Sequence, residues 1–258
     1  MHDLTLVPTS IGQIATYIKL VPNTVPVVLL HGVYFDHHLW NIQEHGLEDV
    51  TIIAIDMPMH GESKYIIKKK WTLEDCAIML LEILDFFQIE KVIGIGHSWG
   101  SMTLLKAASM RPKSFLALGF CNMPYKAASL LRRIAFRLQS MAIPFRNFYM
   151  QKAAQALFAK ASLEHNPGLL VEFTNCFQKL TDSEIRQTNR AVIIQAENTE
   201  TLIRDLKVPA LALKGEEDYV EAPPVLPLTV VAGGHTSPLE AGMEVSMFIR
   251  KVIQLTEV

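Results

Sequence analysis

The amino-acid sequence predicts an α/β fold, a mainly parallel eight-stranded sheet flanked by helices and carrying one long helical insertion. Through the first half of the chain, short β-rich segments alternate with helical patterns, which implies crossover connections and parallel pairing. From Met123 to roughly Lys207 the alternation stops and helical sequence continues without a strand, until β-type sequence resumes at Pro209. The sharpest local signal is Gly96-His97-Ser98-Trp99-Gly100, which follows the apolar run Lys91 to Ile95 and leads straight into the helical stretch Ser101 to Ala107. That is strand, tight turn and helix, with serine at the apex.

Taken in order, Leu4 to Val7 and Gln13 to Lys19 read as an antiparallel pair. Val25 to Leu30 and Thr51 to Ile55 are continuous apolar runs, the pattern of strands covered on both faces, and they end at His31-Gly32 and Asp56. Thr72 and Asp75 resemble a capping box, after which Leu73, Ala77, Leu80, Leu81, Leu84 and Phe87 recur at helical spacing. Phe115 to Phe120 is the next strand, and the chain then divides into a core of residues 1–122 and 208–258 and a helical cap of residues 123–207. In the cap, Ala127, Leu130, Leu131, Ile134, Leu138 and Met141 mark a first amphipathic face, and Asn166-Pro167 and Thr181 with Glu184 mark later helix starts. Pro209 to Leu213 and Leu228 to Val231 are the last strands. Ala241, Val245, Phe248 and Val252 place a closing helix over Pro238 to Ile253.

With 258 residues, half of them hydrophobic, the chain can bury one sizeable core and still carry an inserted subdomain. Lysine and arginine number 24 against 26 aspartates and glutamates, so the whole chain has no general attraction to nucleic acid. Cys76, Cys121 and Cys176 are far apart and odd in number, as suits free thiols in a reducing compartment. Met1 to Ser10 has neither a basic start nor an apolar core, and no apolar run is long enough to span a bilayer. A soluble, cytoplasmic protein is expected.

A serine hydroxyl is a poor nucleophile by itself and needs a general base, itself oriented by a carboxylate. Gly96 and Gly100 supply the small neighbours that let strand and helix approach each other around Ser98. Gly233-Gly234-His235 follows the last strand and precedes the last helix, which makes His235 the expected base. Glu216, Glu217 and Asp218 follow the preceding strand; Asp218 is the expected acid, with either glutamate as its competitor.

These residues, in the order serine, acid, histidine and with a helical cap between core strands, make the chain resemble the α/β-hydrolase superfamily over essentially its whole length. His31-Gly32 is similar to that family's oxyanion loop, which implies the Val33 and Trp99 backbone N–H groups as oxyanion donors. Asp56-Met57-Pro58-Met59-His60-Gly61-Glu62-Ser63 is similar to its Asp-x-Pro-Gly-x-Gly-x-Ser turn, and Gly233-Gly234-His235 with Glu240 behind it resembles its histidine loop. The chain also departs from the pattern. Only seventeen positions separate Asp218 from His235, and Ala222 to Pro227 holds three prolines, so the helix usual between the last two strands is expected to be missing. Some relatives carry the acid after the sixth strand, where this chain has Asn122, which cannot serve as a carboxylate.

No metal is expected: five histidines fall between His31 and His60, but without H-E-x-x-H or paired Cys-x-x-Cys spacing. No nucleotide loop is present either. Between Lys126 and Lys160 there are seven basic residues and no acidic one, which reads as a solvated face or as a site for an anionic substrate, an acidic acyl-carrier partner or a membrane surface. The expected function is a cofactor-independent serine hydrolase, acting on an ester or related acyl bond of a small to medium apolar substrate. Tyr34, His97, Phe136, Phe145 and Phe148 are its expected pocket residues. Lactones, thioesters and carbon–carbon bonds remain open as targets, as does a receptor that binds without turnover.

Overall fold

In the computed structural model, which describes residues 3–256, the continuous apolar runs form the buried centre of a single sheet. Its strands are β1 Asp3–Pro8, β2 Gln13–Lys19, β3 Val27–Leu30, β4 Ile52–Ile55, β5 Val92–His97, β6 Phe115–Cys121, β7 Ala210–Gly215 and β8 Leu228–Val231. They lie in the order β1-β2-β4-β3-β5-β6-β7-β8. β2 is antiparallel to both β1 and β4, and every other pairing is parallel. All residues of β3, β4 and β5 are buried, as their uninterrupted apolar character requires. The reading of Met1 to Ser10 includes Met1 and His2, which lie outside the described residues.

Helices α1 Asn41–His45, α2 Leu73–Phe86 and α3 Trp99–Met110 occupy the first half. Thr72 caps α2 by accepting from the Asp75 N–H, while the Asp75 carboxylate accepts from the Thr72 N–H, so the capping box forms as expected. Between β6 and β7 every regular element is helical: α4 Leu130–Ser140, α5 Arg146–Leu157, α6 Lys160–His165, α7 Gly168–Gln178, α8 Asp182–Thr188, a π-helical turn Asn189–Ile194 and α9 Glu200–Arg204. No helix joins β7 to β8, where the proline-rich stretch runs as irregular chain.

The structure departs from expectation in two places. The closing helix is split into α10 Ser237–Glu240 and α11 Gly242–Gln254, because Ala241 leaves the helical region at φ −131° and ψ 51°. The break lets the Glu240 carboxylate fold back onto the backbone of residues 234–236. The amphipathic face of α4 also forms, but it faces solvent: Leu130, Leu131 and Leu138 are 74%, 80% and 63% exposed, and α4 has no buried residue. Cys76 and Cys121 are buried and Cys176 partly so, all as free thiols, and burial pushes the Cys176 thiol up to about 12. Among the described residues, no helix is long and apolar enough to cross a membrane.

Candidate active site

Strand β5 delivers the chain to Ser98, which sits at φ +50° and ψ −109°, a conformation an L-residue adopts only when its surroundings hold it there. Its N–H donates to the Cys121 carbonyl at 2.8 Å, continuing the β5–β6 ladder past the end of the strand. The turn is feasible only with glycine beside it. A Cβ on Gly96 would lie 2.4 Å from the Ser101 nitrogen, and one on Gly100 would lie 2.2 Å from the Leu30 carbonyl oxygen.

His235 is brought to Ser98 from the far end of the sequence, with Nε2 2.9 Å from the Ser98 Oγ. Its Nδ1 lies 2.9 Å from the Asp218 Oδ1, and both side chains are essentially inaccessible to water. Burial pushes the Asp218 carboxyl up, but the His235 imidazole, the Asn122 amide and the Val220 N–H outweigh it and leave the group below the ordinary carboxylate range. An ionised Asp218 accepts a hydrogen bond from the His235 Nδ1–H, so the Nε2 lone pair is free to accept from the serine hydroxyl. Glu216 and Glu217 are exposed, while Asp218 is buried.

Asn122 ends up next to the acid rather than in its place. Its Nδ2 donates to the Asp218 Oδ2 at 2.8 Å and to the Gly234 carbonyl at 3.3 Å, so one amide ties β6, the acid loop and the histidine loop together. In the sequence alone, Asn122 reads only as a missing carboxylate. Glu240, singled out on resemblance, accepts from Gly234 and Ala159 through Oε1 and from Thr236 through Oε2. The helical insertion completes this loop: the Leu157 carbonyl at the end of α5 accepts from the His235 N–H at 2.9 Å. Nothing in the spacing of the sequence signals that contact.

The histidines around the site are neutral supports. His97 is fully buried, and burial with the nearby His235 pushes it down to about 3, so its Nε2–H donates to the His235 carbonyl at 2.7 Å. Its ring packs so closely on Gly32 that a Cβ there would lie 2.5 Å from the His97 Nδ1. His31 Nε2 accepts from the Met57 N–H at 2.8 Å, which leaves its Nδ1 proton for the Gly32 carbonyl. His60, pushed down to about 3 by burial, accepts from the Tyr34 N–H through Nε2 and donates to the Pro58 carbonyl. The Tyr34 N–H is thereby occupied, while among the described residues the backbone N–H groups of Val33 and of Trp99, at the start of α3, have no acceptor. Those are the two amides implied by the resemblance.

The expected pocket residues fare unevenly. Tyr34 is buried and bonded to Tyr149 and Asn189, which anchors the loop after β3 to the helical insertion. Phe136 is half-buried, and Phe145 and Phe148 are exposed because the end of α4 and the start of α5 turn their apolar side chains to solvent. Phe35, which sequence reasoning missed, lies edge-on to His97 at 6.4 Å and packs against Phe158 and Phe173. It also lines a cavity of about 270 Å³ with Leu39, Cys176, Lys179 and Leu239. A further missed residue is Tyr219, whose ring stacks on His235 and carries the Arg132 guanidinium on it.

Asp36, His37 and His38 bring ligand-type atoms within 4.8 Å of one another. The Asp36 carboxylate is already bonded to His38 and to the Lys179 ammonium, and the His37 Nδ1 to Asp56, so this donor set is engaged in holding the loop after β3. The seven-to-none charge imbalance is partly met from elsewhere in the fold: Lys126 pairs with Glu221, Arg146 with Asp182 and Lys160 with Glu164. Arg132, Arg133, Arg137 and Lys152 have no carboxylate partner among the described residues.

The alpha/beta hydrolase fold model matches residues 25–228. The chain belongs to that family. Among curated relatives, Lipase LipV of Mycobacterium tuberculosis is 30% identical over 92 residues, which are 36% of this chain and 34% of the relative. A putative esterase/lipase of Haemophilus influenzae is 28% identical over 113 residues, which are 42% and 39% of the two chains. The matches thus span about a third to two fifths of the length of these curated relatives. Among solved structures, a thermophilic esterase from Thermogutta terrifontis superposes over 100% of both chains with a TM-score of 0.85 at 19% identity. The enol-lactonase from Burkholderia xenovorans superposes with the same score at 18% identity, over 98% of this chain and 100% of that one.

Proposed function

We propose that the protein is a serine hydrolase that cleaves a carboxylic ester or related acyl bond of a small to medium apolar substrate. The observation that carries this reading is the unbroken chain from the Ser98 Oγ through both His235 nitrogens to Asp218, with both links at 2.9 Å. The lipase and esterase names among the relatives agree with it. In the reaction, the Ser98 oxygen bonds to the acyl carbon while its proton passes to His235 Nε2. Asp218 stabilises the imidazolium, and the Val33 and Trp99 N–H groups receive the oxyanion. Collapse expels the alcohol, which takes the Nε2 proton, and water repeats the sequence on the acyl-enzyme. The helices between β6 and β7 act as a cap that sets acyl specificity, with Phe35, edge-on to His97, as apolar lining. A reducing, cytoplasmic setting suits the three free thiols.

The test pairs a fluorophosphonate probe with a chain-length series of chromogenic esters and lactones. Labelling at Ser98 alone, with turnover abolished in Ser98→Ala, is the expected result. Label on another serine of the folded protein would remove the reading. Stoichiometric ligand binding without turnover would replace it with a receptor.

A further inference from the structure

Helix α4 lies inverted with respect to an ordinary surface helix. Leu130, Leu131, Ile134 and Leu138 fall within about 100° of one another around its axis, and all four are exposed. The residues that approach the body of the protein are instead Arg133, Phe136, Gln139 and Ser140. Arg133 is held there by the Ala128 and Ala196 carbonyls, and the Ser140 carbonyl accepts from Arg186. The apolar sequence then continues through Met141, Phe145 and Phe148, exposed by 70%, 71% and 55%. A solvated helix of this composition would place its leucines inward.

The cations on this segment identify what covers it. Arg137 borders the apolar arc of α4, and Lys152 sits over the Phe148 ring at 5.9 Å; neither has a carboxylate partner among the described residues. No acidic residue lies between Lys126 and Lys160. A second copy of the chain packed about a two-fold axis would set these cations against themselves. A planar anionic surface needs no shaped groove, only an apolar stripe flanked by cations whose stems can lie along it.

We infer that the outward face of α4, with Met141, Phe145 and Phe148 and the flanking Arg137 and Lys152, docks the protein on an anionic lipid surface. The helix lies in the interface plane and does not span the bilayer. This inference is independent of the chemistry at Ser98, because it is read from binding alone.

Flotation with phosphatidylcholine vesicles, with and without roughly 30 mol% phosphatidylglycerol, tests it on the whole protein. Binding is expected to the anionic vesicles and not to the neutral ones. Each cation near such a surface contributes about fivefold in affinity, so Arg137→Gln with Lys152→Gln should weaken binding about 25-fold. Leu131→Asp with Leu138→Asp should abolish binding while leaving the thermal midpoint and the fluorophosphonate labelling of Ser98 unchanged, since both side chains are exposed. Equal binding to neutral vesicles, or none to either, overturns the inference. A homodimer in solution that the two aspartates dissociate, without vesicle binding, assigns the face to a second copy instead.

Discussion

The Tyr219 ring lies against the His235 imidazole, with centroids 4.8 Å apart and planes inclined by 29°. Tyr219 directly follows Asp218, so the residue pair that carries the acid also carries a platform for the ring that the acid orients. An aromatic face attracts a cation by about 1 kcal/mol at a partly exposed site. Tyr219→Ala should therefore lower kcat about fivefold by destabilising the imidazolium, with little change in KM. Tyr219→Phe keeps the ring and should be close to neutral. Steady-state kinetics on one ester decide it, and equal losses in both variants would sink the stacking argument.

The acid is the second test. Asp218→Asn should reduce kcat by about 10⁴-fold, because the imidazole loses the partner that selects its tautomer and stabilises its cation. Glu216→Gln and Glu217→Gln concern exposed side chains and should stay within about twofold of the parent. A crippling Glu217→Gln beside a mild Asp218→Asn would contradict the hydrogen bonding described above.

Asn122 should reveal itself through pH. The Asp218 carboxyl is held below its ordinary value despite burial, so its ionised form stabilises the fold at pH above about 4 and that contribution is lost as pH falls through the depressed value. Asn122→Leu removes one of the donors responsible, at 2.8 Å. The variant should thus lose more thermal stability relative to the parent at neutral pH than at pH about 3. A melting-temperature deficit that does not shrink on acidification would mean that Asn122 acts through packing alone.

Gly100 tests the elbow mechanically. A Cβ there would meet the Leu30 carbonyl oxygen at 2.2 Å, and backbone on a central strand cannot yield as a flexible side chain can. Gly100→Ala should cost about 3 kcal/mol in denaturant unfolding and abolish probe labelling even where the protein still folds. Normal labelling would show that the helix can draw back from β3 without disturbing Ser98.

Local pattern was sufficient for much of this protein. The continuous apolar strands, the Thr72–Asp75 capping box, the strand–turn–helix around Ser98 and the absence of a helix before β8 all follow from side-chain period, turn chemistry and proline placement. These are interactions between near neighbours, so a linear reading can see them. Ser98, Asp218 and His235 were legible for the same reason, since each sits on a short loop directly after a strand whose end the sequence marks.

Tertiary structure decided what depends on residues far apart in the chain. Periodicity showed that α4 has an apolar face but not which way it points, because a helical stripe is the same sequence whether it meets a core or solvent. The run of cations looked uniform until Glu221 and Asp182, distant in sequence, paired with Lys126 and Arg146 and left others without a partner. Asn122 became a support for Asp218, and Leu157 an acceptor for the His235 N–H, only when β6 and the end of α5 were packed beside the loops that follow β7 and β8. Hydrogen bonds across 96 or 78 positions leave no periodic trace in a sequence; they exist once the fold has brought their partners within about 3 Å.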